Sequence, residues 1–456
     1  MSVLKSINPT TEELYAEFKE IDLSAAEAII EKSSISQIKW SNVDIEKRSK
    51  MILEIGDLVK SKKRSYAEII VNEMGKPITE AIGEIDKCVW LCEYYAENAS
   101  KFLGDQYINS DAQKSLVAFE PLGVILGVMP WNFPFWQALR FAVPNLMAGN
   151  GGLLKHAPNS TGTALEIERL FRDAGFPKDL FRSVVIDVPL ASAIIAHPAV
   201  AGVTLTGSER AGSAVAAQAG QALKKVVLEL GGSDPYLILK DADLDLAAKQ
   251  CATARLSNSG QVCIAAKRII VVDQVHDAFL SKLEQAMDTY VCGDPNDPNT
   301  TMGPMARADL RDELHHQVQA SVKAGATLVR GGAPIDGPGY FYPATLLTGV
   351  RPGTPAATEE LFGPVVCVMN ARDENEAIAI ANDTPYGLGA AVYTQDVARG
   401  EAIARDRLQA GTCNVNCSVY SDPRLPFGGI KRSGYGRELA GEGIREFMNT
   451  KTVVVA

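Results

Sequence analysis

Cys263 closes the run SNSGQVC, Ser257–Cys263, in which small and polar residues lead into a thiol. Such a run describes a loop where backbone can approach a ligand, and a thiolate there would be a nucleophile. The plainer alternative is a buried cysteine acting as a small hydrophobe. Glu229 lies in VVLELGGS, Val226–Ser233, among apolar residues and just before a glycine pair. An acid in that setting is bonded to backbone at a strand end, or functional. Partial loss of water raises its pKa and suits it to general-base work. Asn132 is held between two prolines in PWNFP, Pro130–Pro134. Its amide either stabilises its own turn or donates to a developing oxyanion, a role worth about 3–4 kcal/mol.

Two further runs suit a dinucleotide. TGSERAG, Thr206–Gly212, places glycines and a serine at a strand-to-helix junction, where a phosphate is favoured. Its spacing is not G-x-G-x-x-G, and strand–Gly–helix turns are common. EELFGP, Glu359–Pro364, sets an acidic pair beside an aromatic and a Gly-Pro turn. It could hold ribose hydroxyls or be a solvated turn.

These residues need a scaffold. From Ser24 to about Leu103 the apolar positions recur at helical spacing, as with Ile52, Ile55 and Val59, or Ile78, Ile82 and Ile85. Beyond Val124 short β-branched runs alternate with amphipathic stretches. The runs are Val124–Met129, Gly152–Lys155, Ser183–Val188, Val203–Thr206, Val226–Leu230, Tyr236–Leu239 and Ile269–Val272. Gly162–Ala174 and Glu209–Ala222 are among the stretches between them. Strands alternating with helices predict parallel βαβ units and an α/β fold. A second series, Pro343–Leu347, Val365–Val368 and Ala390–Thr394, predicts a second α/β domain. Gln106–Glu120 and Thr450–Ala456 are strand-like segments that need partners, in another subunit or in their own domain.

Composition narrows the class. The chain has 456 residues, 46% hydrophobic and 22% charged, the balance of a globular protein with two or three cores. A net charge of −10 without a basic block argues against nucleic acid as partner. The most apolar stretch, Pro121–Trp136, is interrupted by Gly123, Gly127, Pro130 and Pro134, so no membrane span is expected. The start is polar and without an apolar leader core, and a cytoplasmic location is expected. Eight cysteines in so long a chain are no disulfide scaffold. Cys88 and Cys92 share a helical face and read as core thiols, His315 and His316 cannot face one way on a helix, and no metal is expected.

In order along the chain stand PWNFP, Lys155, TGS-x-x-x-G, LELGG, GQVC, EELFGP and PFGGIKRSGYGRE. This series resembles the aldehyde dehydrogenase superfamily, from INPTT near the start to NTKTV near the end. The resemblance implies Cys263 as nucleophile and Glu229 as the base that activates the deacylating water. Asn132 and the Cys263 N–H become the oxyanion donors. It implies cofactor contacts at Trp131, Lys155, Pro158, Thr206, Gly207, Ser208, Gly231, Glu360 and Phe362. Pro158 stands where many NAD-preferring relatives have a glutamate, and it offers neither hydroxyl nor N–H to a 2′-phosphate. NAD is the expected cofactor, with NADP possible.

The likeness is greatest to bacterial and archaeal NAD(P)-dependent succinate semialdehyde dehydrogenases. That implies Arg140 as a bidentate anchor for a distal carboxylate, with a structural ion pair as its alternative. A second arginine of that group is replaced by Ser257, and Arg255 is out of register. Ser421 could assist, and Phe133, Trp136 and Tyr420 would line an apolar entrance. A broad aliphatic or aromatic aldehyde dehydrogenase and a catalytically silent relative stay open. The implied architecture is α/β, with a Rossmann-type cofactor domain (1–103 and 121–231), an α/β catalytic domain (232–435) and a β-hairpin oligomerisation arm (104–120 and 446–456). A homodimer or homotetramer is implied.

Overall fold

The computed structural model describes residues 3–456. A short antiparallel pair, Val3–Ile7 with Leu14–Lys19, precedes four helices: Leu23–Ser41, Ile45–Ser61, Lys63–Met74 and Ile78–Leu103. Asp22 caps the first by accepting from the Ala25 N–H, and Gly75, at φ 76°, ends the third in the left-handed conformation. In the long fourth helix Ile78, Ala81, Ile85, Cys88, Leu91, Cys92 and Tyr95 are buried along one stripe. The pair Cys88 and Cys92 is therefore core packing.

A six-stranded sheet follows. Its order is Gly434–Tyr435, Lys225–Glu229, Val200–Thr206, Val124–Met129, Gly151–His156, Phe181–Ser183. All neighbours are parallel except the first pair. The chain starts in the middle at Val124–Met129, winds outward to Phe181–Ser183, then crosses back to Val200–Thr206. The crevice between Val124–Met129 and Val200–Thr206 is thus a topological switch point, where α/β sheets bind ligands beyond the strand C-termini.

The second sheet has seven strands in the order Thr327–Arg330, Thr345–Thr348, Val365–Ala371, Ala266–Val272, Asp234–Ile238, Gly389–Tyr393, Thr412–Val415. Only its first pair is antiparallel. Side chains alternate across it, as the pleat requires. Val365, Cys367 and Met369 meet the helices bearing Leu314, Ile378 and Ile403. Val366 and Val368 face Cys251, Phe279 and Leu283 on the other side. A sheet buried on both faces reads as continuous apolar runs, which is why these segments show no alternation in sequence.

Met448–Val455 pairs antiparallel with Lys114–Pro121, which pairs with Gln106–Ile108. Tyr107, Ile108 and Val454 on this small sheet are more than half exposed. One expected strand is corrected. Ser183–Val188 is not a strand; the strand is Phe181–Ser183. Asp187 then accepts from the Leu190 N–H, and with Pro189 in the first turn it starts the helix Val188–Ala196. Capping chemistry outweighed the β-branched run.

Candidate active site

Both loops at the switch point carry candidate residues. After Met129 the chain turns through Pro130–Phe133 and enters the helix Pro134–Met147. The first N–H groups of a helix need partners. Glu84 Oε1 accepts from the N–H groups of Phe135 and Trp136, at 2.9 and 3.0 Å, and Glu84 is paired with the buried Lys76. This anchors the Asn132 loop. Asn132 Nδ2 donates one hydrogen to Gln261 O at 3.0 Å, which leaves its second N–H for a ligand.

The loop Ser257–Cys263 is held in an uncommon conformation. Asn258, Ser259 and Gly260 all have positive φ, at 53°, 51° and 71°. For the two non-glycine residues this costs about 1–2 kcal/mol each. The surroundings offset that cost. Asn258 N–H donates to Glu80 at 2.8 Å, and Asn258 Nδ2 donates to Asn132 O at 3.0 Å. Ser259 Oγ donates to Gly303 O at 2.8 Å, and Gln261 Oε1 accepts from Ala306 N–H at 2.9 Å. A Cβ on Gly260 would lie 2.2 Å from Gly363 O, so only glycine fits. Arg255, fully buried, donates to Val365 O, Gly260 O and Leu361 O, tying the Cys263 loop to the EELFGP turn. Lys267 Nζ donates to Cys263 O at 2.5 Å and pairs with Glu360 at 3.0 Å. Neither Arg255 nor Lys267 was singled out from sequence for this work. Their signal was two cations flanking GQVC within an apolar context.

Cys263, partly exposed, shares one cleft of about 260 Å³ with Asn132 and Glu229. Burial pushes its thiol up to about 11; Lys267 and Arg140 oppose this, while Glu360 and Glu229 add to it. Glu229 ends its strand 2% exposed, and neither carboxyl oxygen has a hydrogen-bond partner. Burial holds its pKa well above the usual carboxylate range, Glu438 raises it further, and Arg140 and Arg437 lower it. A carboxyl like this holds its proton more tightly than an exposed one, while the Arg140 and Arg437 charges favour the ionised form that a base requires.

The same cleft is lined by Trp131, Thr206, Gly207, Ser208, Gly231, Glu360 and Phe362. Ser208 caps the helix Glu209–Gln221 through the Ala211 N–H. A Cβ on Gly207 would meet nothing nearer than Leu205 at 3.6 Å, so the turn is open on that side. A Cβ on Gly231 would lie 2.2 Å from Glu360 Oε2, so Glu360 can pack on the strand end only because Gly231 is bare. Glu360 also accepts from the Gly232 N–H at 3.0 Å. Phe362 meets Trp131 edge-on at 5.8 Å. A helix N-terminus, a carboxylate and two aromatic faces along one crevice fit a dinucleotide's phosphates, ribose and ring. Lys155 and Pro158 lie outside this cleft, at and just beyond the end of the neighbouring strand Gly151–His156.

The candidate substrate residues divide. Trp136 and Ser421 are buried, Tyr420 is 53% exposed, and Phe133 has Lys76 Nζ 3.7 Å above its ring. Ser257 hydrogen-bonds Glu80. Arg140 does not match the role expected for it. Its Nε lies 2.5 Å from Glu438 Oε2, the two side chains 2% and 8% exposed, and its guanidinium stands over Phe427. Its partner through Nε is a carboxylate of the chain itself, the contact the ion-pair alternative describes, and Nη2 reaches Thr206 Oγ1 at 3.4 Å.

The model of the Aldehyde dehydrogenase family matches residues 2–453. The chain belongs to the aldehyde dehydrogenase family. A probable NADP(+) succinate-semialdehyde dehydrogenase of Synechocystis sp. is 43% identical over 453 residues, 99% of this chain and 100% of that one. The Escherichia coli NAD(P)+ succinate semialdehyde dehydrogenase Sad is 43% identical, covering 98% of this chain and 97% of its own. Among solved structures, succinic semialdehyde dehydrogenase of Streptococcus pyogenes with NADP+ superposes at TM-score 0.97 with 37% identity, over 99% of both chains. The expected aldehyde dehydrogenase fold and the assignment as an NAD(P)-dependent enzyme of this family therefore stand. No helix among the described residues is long and apolar enough to cross a membrane.

Proposed function

We propose that this aldehyde dehydrogenase oxidises succinate semialdehyde to succinate through a thioester on Cys263. The observation that carries the reading is the meeting of Cys263, Asn132 and Glu229 in one cleft with the Thr206–Ser208 turn and Glu360. The Cys263 thiol must first lose its proton, since burial holds it up near 11. The thiolate adds to the aldehyde carbon, and the new oxyanion accepts from Asn132 Nδ2 and the Cys263 N–H. A bound nicotinamide supplies the acceptor for the hydride. Glu229 then takes a proton from water, the hydroxide attacks the thioester carbonyl, and the carboxylate leaves as the thiolate is restored. The unpartnered oxygens of Glu229 are free to accept that proton.

NAD is the proposed cofactor, with NADP accepted. Pro158 brings no carboxylate to repel a 2′-phosphate and no donor to hold one, while Lys155 is a nearby cation. The proposed division is a cofactor domain (1–103 and 121–231), a catalytic domain (232–435) and an arm (104–120 and 446–456). The exposed apolar residues on the three-stranded sheet support assembly of like subunits through that arm, and the cytoplasm is the proposed location. The test is reduced-cofactor formation with succinate semialdehyde, butanal and benzaldehyde, each with NAD and NADP at matched concentrations. Mass spectrometry of the quenched enzyme should find a succinyl adduct on Cys263. An adduct elsewhere, or no preference for the carboxylated aldehyde, refutes the reading.

A further inference from the structure

If Arg140 is committed to Glu438, a carboxylated aldehyde needs another cation. Lys87, on the helix Ile78–Leu103, is placed to be one. Its Nζ donates to Ser421 Oγ at 2.6 Å and stands 4.3 Å from the centre of the Trp136 ring. Trp136 lies in the first turn of the helix that follows the Asn132 loop. Arg140, four residues on, shares its face of that helix, and the charge of Arg140 reaches Cys263, Glu229 and Lys87 alike. The Lys87 ammonium therefore stands against Trp136, on the helix that the Asn132 loop leads into, within reach of the same Arg140 charge that acts on Cys263 and Glu229.

Both carboxylates near Lys87 are already engaged. Glu84, one turn earlier, is paired with Lys76 and accepts from two helix N–H groups. Asp422 is held in a two-point contact by Arg424, at 2.9 and 2.6 Å. Among the described residues Lys87 forms no ion pair. Its amino group retains donors beyond the one given to Ser421. A cation largely removed from water, with an aromatic face and one hydroxyl as neighbours, gains from an incoming anion.

We propose that Lys87, together with the Ser421 hydroxyl, forms the anion-binding end of the substrate site and takes the distal carboxylate of a short ω-carboxylated aldehyde. This rests on the reading of the chain as an oxidiser of such aldehydes. Burial and Arg140 push the Lys87 ammonium down to about 8, with Glu84 and Asp422 opposing. A bound carboxylate would reverse that drift and hold the ammonium charged.

The test is Lys87→Met, which keeps the length and apolar stem, beside Lys87→Arg, which keeps the charge. Each is assayed with succinate semialdehyde and with butanal, and succinate is titrated as an inhibitor. For Lys87→Met the ratio of kcat/KM for succinate semialdehyde over butanal should fall at least tenfold, mainly through KM, and the inhibition constant of succinate should rise in step. Lys87→Arg should recover much of the ratio. Equal loss on both aldehydes, or an unchanged ratio, overturns the assignment. If the wild type itself shows no preference for succinate semialdehyde, the underlying reading of the substrate fails. A wild-type preference that survives in Lys87→Met leaves that reading standing and sinks only the role of Lys87.

Discussion

Replacing Arg140 by Met asks whether its guanidinium steadies two buried carboxyls or reads a substrate. Arg140 Nε is 2.5 Å from Glu438, and both side chains are nearly free of solvent. Its charge also lowers the pKa of Glu229 and of Glu438, both raised by burial. Removing one member of a buried pair leaves an ion with neither water nor partner and costs about 3–5 kcal/mol. Glu438 can escape part of that by taking up a proton, so the expected loss at pH 7 is nearer the lower end, about 3 kcal/mol. Adding Glu438→Gln removes the stranded charge, and the double variant should regain all but about 1 kcal/mol. Urea unfolding of the wild type, both single variants and the double variant, followed by tryptophan fluorescence, gives the comparison. Turnover should fall for succinate semialdehyde and butanal alike, because thiol and base both lose a cation. The reasoning is refuted if Arg140→Met leaves the unfolding midpoint in place while KM rises for succinate semialdehyde alone.

Other outcomes follow from the same site. Alkylation of Cys263 by iodoacetamide should quicken roughly tenfold per pH unit between pH 7 and 10, because the thiolate fraction is small there; a plateau below pH 8 would contradict a thiol held up near 11. Glu229→Gln should give one burst of reduced cofactor without turnover, and equal steady-state rates with wild type would remove Glu229 from its role. Because burial raises the folded pKa of Glu229 above 4.5, its stabilising contribution is full at low pH and is lost as pH rises toward the folded value. The wild type should therefore lose more Tm than Glu229→Gln between pH 5 and 8, and parallel curves would count against a raised pKa. Gly260→Ala meets Gly363 O at 2.2 Å and should abolish activity or folding; a fully active variant would show that the turn can relax.

The α/β class and most strands were legible from apolar runs, because sheets covered on both faces need them. The N-terminal strand pair was not, since Leu14–Lys19 is short and largely exposed and its apolar residues do not alternate cleanly with polar ones. The motifs pointed to Cys263, Asn132 and Glu229, which the fold brings together in one cleft with the Thr206–Ser208 turn. They could not show which partner a charged side chain would choose. Arg140 lies at a place that invites a substrate carboxylate, yet Glu438, 298 residues away in sequence, reaches it first. Lys87 gave no sign, because a lysine on an amphipathic helix reads as solvent-facing. Only the arrival of Trp136 and Ser421 from distant segments encloses it.

The two-residue strand Gly434–Tyr435 has a mechanical consequence. It belongs to chain that has already passed through the seven-stranded sheet, yet it clasps the edge holding Glu229. Ser433 doubles the stitch, its hydroxyl donating to Gly231 O and its carbonyl accepting from the Leu230 N–H. The chain beyond the seven-stranded sheet cannot part from the six-stranded one along this seam without pulling on the strand end that carries Glu229. On the proposed mechanism, room for the hydrolytic water would come from the ligand shifting within this frame, and a cross-link across the seam should leave the second half of the reaction running.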